Sequence, residues 1–262
     1  MARASAGRHF LRIGGTTSAH VRARPPVLSI SGFGEPLSAL THLAGAAVFA
    51  QLGVSLIRQG RGELLRTMSL VVFAFSGVLM LASSGTYHLW PPDGAFRDVL
   101  RRLDHAAIFV LIAGSFTPVH AILFRGLWRW GVLAGIWTVA FAGLTLKTVY
   151  FTAIPEGFGL ALYLGFGWLG LVSWIALVRR FGFRFARPVL WGALAYTLGA
   201  LTDYLRWPVP IPGLVGAHEL FHLAVLAGLA FHWMFIRSFA SREMPAPGSV
   251  ERSGHTLPIA TP

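Results

Sequence analysis

Residues 214–236 read LVGAHELFHLAVLAGLAFHWMFI, and this stretch decides the fold. Glu219 is its only charged residue. An apolar run of this length fits a helix that crosses a bilayer, which needs about 20 residues. His218 and His222 stand four apart near its start, so in a helix they share one face and can grip one metal ion. The quintet His218-Glu219-Leu220-Phe221-His222 also matches the H-E-x-x-H motif of zinc proteases, in which the Glu is the general base.

Composition places the stretch in a membrane protein. The 262 residues are 55% hydrophobic and only 12% charged, where a soluble domain carries about 25%. No cysteine is present, which excludes disulfides, cysteine zinc ligands and thiol nucleophiles. The net charge is +12, and all but Lys147 of the 22 basic residues are Arg. Most of them lie between apolar runs, which points to lipid headgroups and topology control. Nucleic acid is not an expected partner, and protein partners are not legible.

Working outward, six more apolar segments precede this one: about Leu37 to Ile57, Thr67 to Leu89, Asp104 to Phe124, Trp130 to Lys147, Gly157 to Val178, and a weaker Pro188 to Leu205 that contains Asp203. The links are short and rich in Arg, Gly and Pro. Trp and Tyr gather at segment ends (Trp90, Trp128, Trp130, Tyr150, Trp207), as in interfacial belts. The expectation is an all-α integral membrane protein, a seven-transmembrane helix bundle over 36–237. A basic, disordered arm (1–35) without a cleavable signal precedes it, and a disordered tail (238–262) follows.

Seven crossings make a geometric prediction. With the N-terminus on side A, His42, His88, Asp104, His105, Lys147, Asp203, His218, Glu219 and His222 all fall toward side A. His120 and His232 fall toward side B. Ionisable groups in a bilayer are costly, about 2.5–3.5 kcal/mol for Asp or Lys at a helix centre, so such a ring reads as a site. Orientation stays open. The short loops hold five basic residues on side A and nine on side B, which makes B cytoplasmic, whereas the basic arm favours A.

Because segment two ends on side A, His88 can join His218 and His222. Three imidazoles with an open fourth position make a catalytic type of zinc site. Asp104 could hold or deprotonate a water there or orient a ligand histidine, or it could simply cap segment three, the role its spacing favours. Ser84 shares a face with His88 and could donate to the same water; it could equally be a small packing residue beside Gly85. Glu219 points about 100° from His218, a geometry that permits the protease role, but no further ligand follows at protease spacing.

The set of motifs resembles the hemolysin III family. Ser83-Ser84-Gly85-Thr86-Tyr87-His88 resembles its S-T-x-Y-H element. Leu103-Asp104-His105 through Thr117-Pro118 resembles its D-H-x-x-I-x-x-x-I-A-G-T-Y-T-P element. Thr41-His42-Leu43-Ala44-Gly45 and His218 to His222 resemble its first-helix and last-helix motifs. That family is similar to the progestin and adipoQ receptors, seven-helix proteins grouped with proposed membrane hydrolases. The resemblance implies zinc held by His88, His218 and His222, with Asp104 beside the zinc water and Ser84 as its neighbour. It weakens Glu219 as a base and sets the site toward the cytoplasm. Segment six departs from the family pattern at Asp203 and the Pro-rich link after it. Three functions stay open. One is a zinc-dependent hydrolase of a lipid-like amide or ester, with membrane lipids as partners. The others are a pore-forming, hemolytic protein and a sensor or receptor with structural zinc. The expected location is the bacterial plasma (inner) membrane.

Overall fold

The structure is a computed structural model, and it describes residues 35–91 and 94–241. Most of the expected basic arm and of the expected tail therefore lies outside the described residues. The described chain is helical: α1 Pro36–Gln59, α2 Leu64–Leu89, α3 Ala95–Leu123, α4 Leu127–Val149, α5 Glu156–Trp168, α6 Gly170–Phe181, α7 Phe183–Leu205 and α8 Ala217–Arg237. Among the described residues the only β pairing is one bridge, Ile211 to Val215.

Eight helices make seven crossings. The fifth apolar segment is α5 and α6 together, a 26-residue span over Glu156–Phe181. Leu169 separates them but keeps helical dihedrals, and its N–H still reaches Gly165 O. That span and α1, α2, α3, α4 and α8 are long and apolar enough to cross a membrane. The remaining helix, α7, is less apolar because Arg184, Arg187 and Asp203 lie within it. Its 23 residues nevertheless reach about 34 Å. Topology requires the crossing: Gly182 alone joins α7 to the end of α6, and its other end meets the start of α8. Gly182 has φ 84°, a reversal that a side chain would strain.

The third helix corrects the sequence reading. It starts at Ala95, nine residues before the expected opening at Asp104. Its first turns are amphipathic rather than apolar: Asp98 pairs with Arg101 at 3.2 Å while Leu100 is buried. Hydropathy registers only the part of a helix inside the bilayer. Asp104 is thus mid-helix, where no free N–H groups await a cap, and the capping role is excluded.

The core is built from Leu56, Leu70, Phe73, Leu81, Leu229, Phe235 and Phe239. Without water to drive association, membrane helices approach through small residues. Gly85 of α2 shows this: a Cβ there would stand 2.7 Å from Leu43 Cγ. That contact brings the end of α2 against the start of α1. At the other end, Arg66 reaches past α8 and donates to Phe239 O and Ser241 O at 2.8 and 3.0 Å.

Candidate metal centre

The last turn of α2 and the first turns of α8 bring three histidines together. His218 Nε2 lies 3.3 Å from His88 Nε2 and 3.1 Å from His222 Nε2. His88 and His222 are each 1% exposed. One ring nitrogen from each of the three falls within 4.8 Å of the others, close enough to hold one metal ion. Nitrogens about 2.0–2.1 Å from a tetrahedral zinc stand about 3.3 Å apart, which the two spacings to His218 Nε2 match.

The opposite ring nitrogens say which way the lone pairs point. His88 Nδ1 lies 2.7 Å from Glu35 Oε2, and His218 Nδ1 lies 3.0 Å from Asp203 Oδ1. Asp203 Oδ1 accepts from His218 Nδ1, which leaves the His218 Nε2 with a lone pair facing inward. Glu35 Oε2 lies against His88 Nδ1 as a close charge contact without hydrogen-bond geometry. A shared proton satisfies one pair of facing lone pairs. Three converging nitrogens can hold one cation that accepts from all three. Metal-ligating histidines are backed by carboxylates in this way.

Glu35 is placed by the start of α1. Pro36 opens that helix, as its fixed φ suits, and the Glu35 N–H donates to His88 O at 2.9 Å. Glu35 Oε2 also stands 3.7 Å from His218 Nε2, and Oε1 is 3.8 Å from Arg97 Nη2. His42, one turn into α1, stacks on His222 with ring centres 3.8 Å apart, its Nε2 3.4 Å from His222 O. It packs on the His222 ring and lies outside the group of three.

Asp104 and Ser84 meet beside the histidines. Ser84 stands close enough to the Asp104 carboxylate to stabilise it, and Asp104 lies within electrostatic reach of His88 and His218. Ser84 is 3% exposed. The five residues singled out in the sequence therefore form one neighbourhood. Glu219 lies elsewhere: its Oε2 accepts the Gly216 N–H at 2.8 Å and its Oε1 accepts the Ser38 hydroxyl at 3.0 Å. It closes the first turn of α8 against α1, as the acid of a capping box does. Both carboxylate oxygens are engaged, so the protease-like base is not available.

Other ionisable groups sort as the crossings require. His105 and Lys147 share side A but lie apart from the histidines, around Phe151 and Tyr163. Toward side B, His120 sits between Trp128 O at 2.7 Å and Ser173 Oγ at 3.0 Å, and His232 packs on Tyr196. Sequence reasoning missed the parts played by Glu35 and Asp203. The available signal was position: each is an acid at the side A end of a helix.

The haemolysin-III-related family profile matches residues 33–233. The chain belongs to this family. The match begins just before Glu35 and ends beyond His222, so the whole cluster is inside the haemolysin-III-related region. The chain is 30% identical over 199 residues to "Hemolysin-3" of Bacillus cereus, covering 75% of this chain and 87% of that protein. It is 27% identical over 198 residues to "Hemolysin-3 homolog" of Bacillus subtilis (strain 168), covering 75% and 89%.

Proposed function

We propose that this haemolysin-III-related protein is a zinc-dependent hydrolase that cleaves an amide or ester in a lipid-like substrate. The observation that carries the reading is the convergence of His88, His218 and His222 beside the Ser84–Asp104 pair, two of the rings being backed by carboxylates. His88, His218 and His222 would hold the zinc, which when bound would supply Lewis-acid polarisation of a substrate carbonyl. Asp104 takes the proton of the attacking water and returns it to the leaving amine or alcohol. Ser84 holds the Asp104 carboxylate in place and keeps it turned toward the histidines. Glu35 and Asp203 fix the rings of His88 and His218.

The reading includes membrane lipids as partners and the bacterial plasma membrane as the location. Residues 36–237, with Glu35 added, are the working unit, flanked by the arm and the tail. A second reading, a sensor with structural zinc, has its own support: the ligands join the end of α2 to the start of α8, so an ion there would tie the bundle together. Elemental analysis of purified wild type and His88→Ala, with amidase and esterase assays on lipid substrates, tests both. One zinc per chain and lipid hydrolysis in the wild type, both lost in the variant, is the expected result. Stoichiometric zinc retained by His88→Ala sinks the site assignment. Zinc without hydrolysis, and unaltered lipid pools in a deletion strain, favour the sensor.

A further inference from the structure

Three cations crowd one aromatic ring on side A, outside the metal centre. The Arg101 and Arg102 guanidinium carbons lie 4.7 and 5.6 Å from the centre of the Phe151 ring, and Lys147 Nζ lies 5.0 Å from it. Lys147 is only 5% exposed. Its ammonium also faces the Tyr163 ring at 5.8 Å. It fits because residue 159 is glycine: a Cβ there would stand 2.9 Å from Nζ.

Negative partners are too few. Asp98 pairs with Arg101 at 3.2 Å from the solvent side, and Glu156 pairs with Arg206 at 3.7 Å. Glu156 acts on Lys147 only from beyond pairing distance. Arg102 donates to Thr148 O. Arg101 Nε is buried without an acceptor. Among the described residues, no hydrogen bond or ion pair reaches Lys147 Nζ. Cation–π contact with Phe151 and Tyr163 offsets part of the cost of burying an ammonium, but mutual repulsion among the three cations adds to it. A buried cation requires a counter-charge or a function.

We propose that Arg101, Arg102 and Lys147 form a binding site for the phosphate of an anionic phospholipid. A guanidinium fork presents paired donors to phosphate oxygens, and an ammonium adds a point charge. The exposed Val149 and Tyr150 beside the cluster put it at the level where headgroups lie. Arg101 and Asp104 are three apart on α3, neighbours on one helix face, so a lipid held by its phosphate presents its acyl ester toward the Ser84–Asp104 pair. This assignment of the substrate class rests on the hydrolase reading above; the headgroup site itself does not.

The test uses the full chain in neutral detergent, titrated with phosphatidylglycerol, phosphatidylcholine and inorganic phosphate. Binding is followed by thermal midpoint and by native mass spectrometry. Saturable binding of phosphatidylglycerol is expected, weakened at least tenfold by Lys147→Gln and by Arg101→Gln, with zinc content unchanged. Arg61→Gln, an exposed cation on side B, leaves binding intact. Arg101 is 39% exposed at its side chain, so its variant carries the test if Lys147→Gln does not fold. Wild-type binding in both variants, or equal binding of phosphatidylcholine, overturns the proposal. Inorganic phosphate saturating the site while phosphatidylglycerol does not bind overturns the lipid assignment. Phosphatidylglycerol bound by wild type and by His88→Ala, with no hydrolysis by either, supports the headgroup site and refutes the hydrolase.

Discussion

If the three histidines hold zinc as proposed, removing the charge behind His88 or behind His218 should loosen it by a graded amount. Asp203→Asn and Glu35→Gln keep shape and a hydrogen-bond acceptor but lose the negative charge. Substitutions behind a metal ligand cost about 10–100-fold in affinity, or about 1.4–2.7 kcal/mol. The structure ranks the two. The Glu35–His88 contact is 2.7 Å, with side chains 17% and 2% exposed. The Asp203–His218 contact is 3.0 Å, with side chains 27% and 19% exposed. Water screens the second more than the first, so Glu35→Gln should fall near the hundredfold end and Asp203→Asn near the tenfold end. The assay is zinc competition against a chromogenic chelator on detergent-purified protein. Wild-type affinity in both variants, or a larger loss in Asp203→Asn than in Glu35→Gln, would refute the view that the carboxylates orient the rings.

Further outcomes are expected elsewhere in the molecule. Glu219→Ala strands the Gly216 N–H and the Ser38 hydroxyl, so stability in detergent should drop by about 1–3 kcal/mol while zinc content holds; loss of zinc instead would return Glu219 to the site. Asp104→Asn should retain zinc but lose hydrolysis by about 10²–10⁴-fold, read from product release under saturating lipid. Adding zinc at 100 times its dissociation constant should stabilise the wild type by about 2.7 kcal/mol, seen as a higher thermal midpoint, and should do nothing for His88→Ala. Purified protein added to dye-loaded liposomes should release no dye; rapid release would count against the hydrolase reading and for a pore.

Much of the fold was legible because each helix has to solve the same problem in lipid. Every backbone N–H and C=O is satisfied within the helix, so length and hydropathy locate six crossings without tertiary knowledge. The seventh, α7, was weak because Arg184, Arg187 and Asp203 lower its hydropathy, though they sit near its ends. The start of α3 was misread for a related reason. Its first turns, with Asp98 and Arg101, stand clear of the apolar core, and amphipathic helix there looks like a loop to hydropathy. Of the site, the i, i+4 spacing put His218 and His222 on one helix face, parity put His88 on the same side of the bundle, and the family resemblance grouped the three. Glu35 was not legible, because its one signal, an acid at the side A end of a helix, is lost at the edge of a basic arm. The packing of α1 on α2, with the Gly85–Leu43 contact and the Glu35 N–H donating to His88 O, carries it to His88.

The elements divide their labour around side A. Under the zinc reading, α1, α2, α7 and α8 build the holder: Glu35 and Asp203 from outside, His88, His218 and His222 within, His42 stacked beneath. The side of the site that these helices leave to the middle of the chain is formed by α3, α4 and the start of α5, with Asp104 facing the histidines and Arg101, Arg102, Lys147 and Tyr163 one turn further out. A substrate that engages both sets would bridge the two halves of the bundle. The α3–α5 half would then decide which headgroup is accepted, while the histidine half would decide what is done to it. Changes in Lys147 should therefore alter which lipid is preferred before they alter how much metal is held, and changes in Glu35 should do the reverse.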